Sequence, residues 1–112
     1  LPRLVGMARA TEALMLVERI PAAKALDWGM IYKVVPDEAL LDEAMALATR
    51  LAAGPTVSYG AIRRALQAAA STDYQQALLI EEEAQRISGN SKDCSEAVTA
   101  FLEKRPPVFR GE

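Results

Sequence analysis

Apolar residues recur along this chain mostly at steps of three and four, the spacing of one helical face, and glycine and proline fall where that spacing stops. The clearest stretch is residues 37–53. Leu40, Ala44, Leu47 and Leu51 form a stripe there, widened by Leu41, Met45 and Ala48. Asp37 and Glu38 suit the positive end of the helix dipole and Arg50 the negative end, and Gly54 with Pro55 stops the run. A first helix is predicted over residues 2–16, with Leu4, Ala8 and Leu14 or Met15 as an imperfect stripe, and with Gly6 inside it as the mark of a close packing or ligand neighbour. A short helix opens at Pro21 and ends at a left-handed Gly29. The fourth covers 56–70, capped by Thr56 or Ser58, with Val57, Ala61, Ala65 and Ala68 on one face. The fifth covers 72–88, with Tyr74, Leu78 and Glu81 in one row and Ala77, Ile80, Ala84 and Ile87 in adjacent ones. The sixth is capped by Asn90 or Ser91, turns Cys94, Val98, Phe101 and Leu102 inward, and is stopped by Pro106 and Pro107. Only "MIYKVV", residues 30–35, has the β-branched and aromatic character of a strand. Its one weak partner is "VERI" at 17–20. Periodicity therefore gives a mainly α chain of five to six helices with one short strand that lacks a proper neighbour.

Composition narrows the chemistry. The 112 residues suffice for one small core, and the 51% of hydrophobic residues are carried by alanine and leucine, with six aromatics in all. A net charge of −2 gives no electrostatic reason to bind nucleic acid or an anionic membrane, and the Arg63 and Arg64 pair is isolated. No apolar run approaches the roughly 20 residues that span a bilayer, and no signal-like segment opens the chain, so it reads as soluble and cytoplasmic. The absence of histidine excludes Ser-His-Asp, Cys-His and histidine-ligated metal sites within the chain. The single Cys94 excludes an internal disulfide and a cysteine-based zinc cluster, and beside Ala97 and Val98 it reads as a small buried hydrophobe. Glu81, Glu82 and Glu83 invite a reading as paired catalytic carboxylates. Consecutive helical residues fan out by about 100°, so they are predicted to form a solvated, partly salt-bridged face instead. The glycines are isolated, with no phosphate-cradling loop. No catalytic and no metal-binding residue is assigned.

The order of these signals resembles the C-terminal third of the enoyl-CoA hydratase/isomerase (crotonase) family. The family's "L-x-R-x-x-G" helix start matches Leu1, Arg3 and Gly6, and its "I-x-A-x-x-A-x-x-x-G-[LM]-[VI]" run matches Ile20, Ala22, Ala25, Gly29, Met30 and Ile31. The "V-V-P" exit matches Val34, Val35 and Pro36, and the closing "A-F-x-E-K-R-x-P-x-F" matches Ala100, Phe101, Glu103, Lys104, Arg105, Pro107 and Phe109. The wording "LPRLVG", "WGMI" and "KRPPVF" looks most like the isomerase-type members of phenylacetate degradation.

The resemblance implies the C-terminal helical, trimerising part of a crotonase-type fold. Residues 1–36 would be the end of the core and 37–112 the helical oligomerisation and lid region. It implies proton transfer beside an acyl-CoA thioester, with two backbone donors stabilising the oxyanion, CoA entering as substrate with no separate cofactor, and homo-oligomers that are trimers or hexamers. The family's catalytic carboxylates lie upstream of the position matching Leu1, and Glu12, Glu18, Asp27 and Glu38 match no catalytic motif. The expectation is therefore that Leu1, which is not an initiator methionine, falls inside a longer enzyme. Phe101 and Lys104 match the positions that reach the CoA nucleotide end of a neighbouring subunit. The competing reading makes Phe101 core and lets Lys104 and Arg105 complement the helix dipole. Arg105 and Arg110 are accessory phosphate candidates. A second function class stays open: a free-standing helical module that associates with itself or a partner through rows such as Leu14 with Leu16 and Leu78 with Leu79.

Overall fold

A computed structural model describes all 112 residues as seven α-helices and one 3-10 turn, with no strand. The helices are α1 (Pro2–Val5), α2 (Met7–Leu16), α3 (Ala22–Asp27), α4 (Leu40–Ala52, preceded by the 3-10 turn Asp37–Ala39), α5 (Thr56–Ala69), α6 (Tyr74–Gly89) and α7 (Lys92–Glu103). The chain divides into two compact units, Leu1–Leu41 and Asp42–Glu112.

In the first unit the helix expected over 2–16 is broken in two at Gly6. Its φ of 83° and ψ of 163° lie in a region that only glycine occupies readily. No atom lies within 4 Å of where a Cβ would sit on Gly6. The glycine serves backbone conformation and not the close approach expected of it. The break re-aims the apolar positions: Leu4, Leu14 and Met15 are exposed, while Val5, Ala10 and Trp28 form the core with Ala13, Ile20 and Met30 against it. Residue 29 behaves as its sequence implies. The Gly29 N–H donates to the Leu26 carbonyl and the Met30 N–H to the Ala25 carbonyl, both at 2.9 Å, which is the Schellman pair that closes a helix through a left-handed residue. Trp28, almost buried, has the Lys24 ammonium 4.6 Å and the Arg9 guanidinium 5.6 Å from its ring centroid; Lys24 is also paired with Glu12 at 2.7 Å.

The strand expected at 30–35 is absent. An extended segment leaves its N–H and C=O groups unpaired unless a second strand takes them, and neither residues 17–20 nor any other segment does so. Tyr32 stands 78% exposed in an irregular connection.

In the second unit α5 and α6 pack against each other. The half-buried or buried residues of α5 include Val57, Ala61, Ala65 and Ala68, the face the periodicity named, and those of α6 include Ala77, Ile80, Ala84 and Ile87, while the row of Tyr74, Leu78 and Glu81 is exposed. Small side chains on α5 let the two backbones lie close. The helix ends differ in detail from expectation. Neither Thr56 nor Ser58 caps α5, whose N-cap is Pro55, because both residues already lie inside the first turn. Ser71 and Thr72 do not begin α6; their hydroxyls donate to the Ala68 carbonyl and close α5, and Asp73 caps α6 by accepting the Gln76 N–H at 2.8 Å. Glu83 meets Arg86 through two 2.7 Å hydrogen bonds, in keeping with a salt-bridged outer face. The helix α4, most of which belongs to this unit, carries the strongest apolar stripe of the chain and buries no residue.

Candidate functional site

The candidate site is the C-terminal end of α7 and the tail that follows it. Ser91 starts the helix: its hydroxyl accepts the Cys94 N–H at 3.1 Å and donates to the Ser88 carbonyl at 2.7 Å. Twelve residues on, α7 ends in a second Schellman pair, with the Lys104 N–H on the Phe101 carbonyl (3.2 Å) and the Arg105 N–H on the Ala100 carbonyl (3.0 Å). The left-handed residue here is a lysine, at φ 55° and ψ 38°. A side chain in that conformation costs roughly 1–2 kcal/mol, which is why glycine usually stands there. Val17 at the end of α2 adopts the same left-handed conformation, at φ 55° and ψ 31°.

The tail that follows Lys104 is fastened along α7. Pro106 and Pro107 have no N–H to offer, and the donors beyond them turn back along α7 to two carboxylates three residues apart. Glu96 accepts the Val108 N–H at 2.9 Å and takes the Arg105 guanidinium bidentately at 2.6 and 3.0 Å. Asp93, 2% exposed, accepts the N–H of Arg110 (2.7 Å) on one oxygen and of Gly111 (2.9 Å) on the other, while its own N–H donates to the Glu112 carbonyl. Lys92 pairs with the Glu112 side chain at 2.9 Å. Gly111 is left-handed at φ 75°, with no room for a Cβ beside the Thr56 hydroxyl. The Arg105 guanidinium and the Val108 N–H draw the Glu96 carboxyl down to about 2. A groove of about 450 Å³ follows this clasp, lined by Lys92, Asp93, Glu96, Arg105 and the tail.

The two residues named from the sequence sit together at this helix end. Phe101 is 81% exposed and therefore not part of the core of the chain; Lys104, exposed and joined to it by the backbone hydrogen bond, makes no side-chain ion pair. Arg105 is engaged by Glu96 and by Glu103 at 2.6 Å, so its charge is neutralised within the chain. The inward face of α7 is also not the expected one. Val98, Phe101 and Leu102 face outward and Cys94 is only half-buried, while Asp93 and Ala100 are buried. Sequence reasoning missed Asp93 and Glu96. Their three-residue spacing beneath a proline-interrupted tail and Gly111 was the available signal.

Comparison with known proteins covers the whole chain and not this site in particular. The family model described as Enoyl-CoA hydratase/isomerase matches residues 1–112. The chain is 43% identical over its whole length to a 1,2-epoxyphenylacetyl-CoA isomerase of Escherichia coli, and 41% identical over 99% of its length to a probable enoyl-CoA hydratase of Rhodobacter capsulatus. In each case it covers 43% of the relative. A solved structure described as a putative enoyl-CoA hydratase/isomerase from Mycobacterium abscessus superposes over 99% of the chain with a TM-score of 0.92 at 40% identity, and again 43% of that protein is covered. The chain thus spans less than half the length of the proteins it matches.

Proposed function

The chain belongs to the enoyl-CoA hydratase/isomerase family, and from that premise we propose that it is the C-terminal helical part of an enzyme acting on an acyl-CoA thioester, in which it holds the nucleotide end of CoA and leaves the proton transfer to other residues. The observation that carries this reading is the end of α7: an unpaired lysine set in a left-handed cap beside an exposed Phe101, with the adjacent arginine neutralised. An ammonium beyond a helix C-terminus is drawn there by the dipole and makes a point charge suited to phosphate, and an exposed ring one turn earlier offers adenine a flat apolar face.

The reaction expected of the whole enzyme is proton transfer beside the thioester carbonyl, its oxyanion stabilised by two backbone donors. Those donors and the acid–base carboxylates belong, on this reading, to residues matching the portion of the relatives that this chain does not cover. The acidic residues here are otherwise employed or apart: Glu12 is paired with Lys24, Glu83 with Arg86, and Asp93 and Glu96 hold the tail. The likeness to the epoxyphenylacetyl-CoA isomerase supports isomerisation of a ring-derived acyl-CoA as the finer activity.

Lys104→Glu in the full-length polypeptide is expected to weaken coenzyme A binding by about 1–3 kcal/mol, the range for a charge-assisted contact. Titration calorimetry with coenzyme A measures this directly, and an unchanged Kd together with an unchanged KM for acyl-CoA rejects it. A second reading, a helical association module without catalysis, is favoured by the exposed rows Leu14 with Leu16 and Leu78 with Leu79. It requires that the Lys104→Glu variant associate normally and that coenzyme A bind neither form.

A further inference from the structure

We infer that Glu96 and Asp93 are positioning residues for Lys104: by folding residues 105–112 back along α7 they hold the left-handed turn from which the Lys104 ammonium projects. This rests on the reading of Lys104 as a phosphate contact and adds to it the part of the chain that aims the charge.

The geometry runs as one chain of contacts. The turn at Lys104 carries a conformational cost that nothing in a lysine offsets, and the contacts that can offset it lie on its far side. Arg105, the next residue, supplies the handle, and Glu96 grips it with both carboxylate oxygens and holds the Val108 N–H as well. One turn nearer the helix start, Asp93 fastens the end of the same tail through the N–H groups of Arg110 and Gly111. Asp93 and Glu96 lie on one row of α7, so a single helix face receives the whole segment. With the tail released, Lys104 is free to return to the right-handed region and extend α7. The ammonium would then leave from a different side of the helix axis, because each added helical residue turns by about 100°. Gripping Arg105 has a second effect. It removes a competing cation from the helix end, so that an incoming phosphate meets Lys104.

The test uses the full-length polypeptide with two probes, coenzyme A and pantetheine, which lacks the nucleotide and its phosphates. Glu96→Gln keeps the shape and an oxygen for the Val108 N–H but drops the charge that holds Arg105. It is expected to raise the Kd for coenzyme A about tenfold, leave pantetheine binding and kcat unchanged, and have no further effect in a Lys104→Gln background, as coupled residues do. Asp93→Asn, measured in the same way, serves if the first variant does not fold. Normal coenzyme A binding by Glu96→Gln beside weakened binding by Lys104→Gln overturns the positioning role alone. Equal losses for both probes also overturn it, since they mark general damage. Unchanged binding by Lys104→Gln removes the phosphate contact, and the positioning role with it.

Discussion

At the scale of single residues, the informative positions are those whose conformation or burial contradicts their chemistry. An aspartate 2% exposed demands a partner, which the tail of the chain provides, and a lysine stands in a left-handed cap where glycine is usual. Glu96 makes the consequence measurable. Its folded pKa of about 2 lies below the ordinary 4.5, so the ionised form is the one the folded chain stabilises. The clasp is therefore fully present above about pH 4.5 and is lost as pH falls toward 2. Following the Val108 amide by NMR across that interval is expected to show a transition near the lower value. A midpoint near 4.5 would mean that Glu96 does not hold the tail. Phe101 and Lys104 were legible because they stand in a recognisable run, "AFLEKRPPVF". Asp93 and Glu96 stood outside any motif, and their three-residue spacing acquires meaning only once the tail folds back, bringing the Arg105 guanidinium and backbone N–H groups 12 to 18 residues away to them.

At the scale of elements, helix ends followed local chemistry closely where a residue's own side chain or φ preference made the cap, as at Ser91 and Gly29. They departed where the backbone already carried the decision, as at Pro55 and at Gly6. Gly6→Ala is expected to destabilise the chain by about 1–3 kcal/mol, because a φ of 83° with ψ of 163° excludes a Cβ on its own backbone. Gly89→Ala, inside α6 with open space at its Cβ position, is expected to be neutral or slightly stabilising. Urea denaturation of the two variants compares them. Were Gly6→Ala to stabilise, α1 and α2 would have to merge into the single helix that their periodicity suggests. The missing strand makes the same point from the other side: "MIYKVV" has strand composition, but a ladder is a property of two segments.

At the scale of the whole molecule, the apolar surface is the dominant fact. Leu14, Met15 and Val17 in the first unit and Leu40, Leu41 and Met45 on α4 are all more than half exposed, and no residue of α4 is buried. Soluble monomers rarely leave contiguous apolar surface of this kind uncovered. In the proposed parent enzyme the remaining residues and neighbouring subunits would cover it. For the 112 residues expressed alone the expected outcome is self-association, read as a sedimentation-velocity mass that grows with concentration. A monomeric mass that is independent of concentration would count against this, and with it against the view that these faces are made to be covered.

The sequence by itself determined the mainly helical class, the approximate position of each long helix, the α5 inner face and the family. Each of these is written in local spacing, caps and ordered motifs that one segment carries alone. Tertiary structure alone decided which face of α7 turns inward, that 30–35 is no strand, and that Arg105 pairs with Glu96. The physical reason is common to all three. Periodicity states which residues share a face, but the free energy of burying that face depends on what arrives to cover it. For α7 the arriving group is a tail rich in unpaired N–H donors, which two carboxylates satisfy better than Val98, Phe101 or Leu102 could.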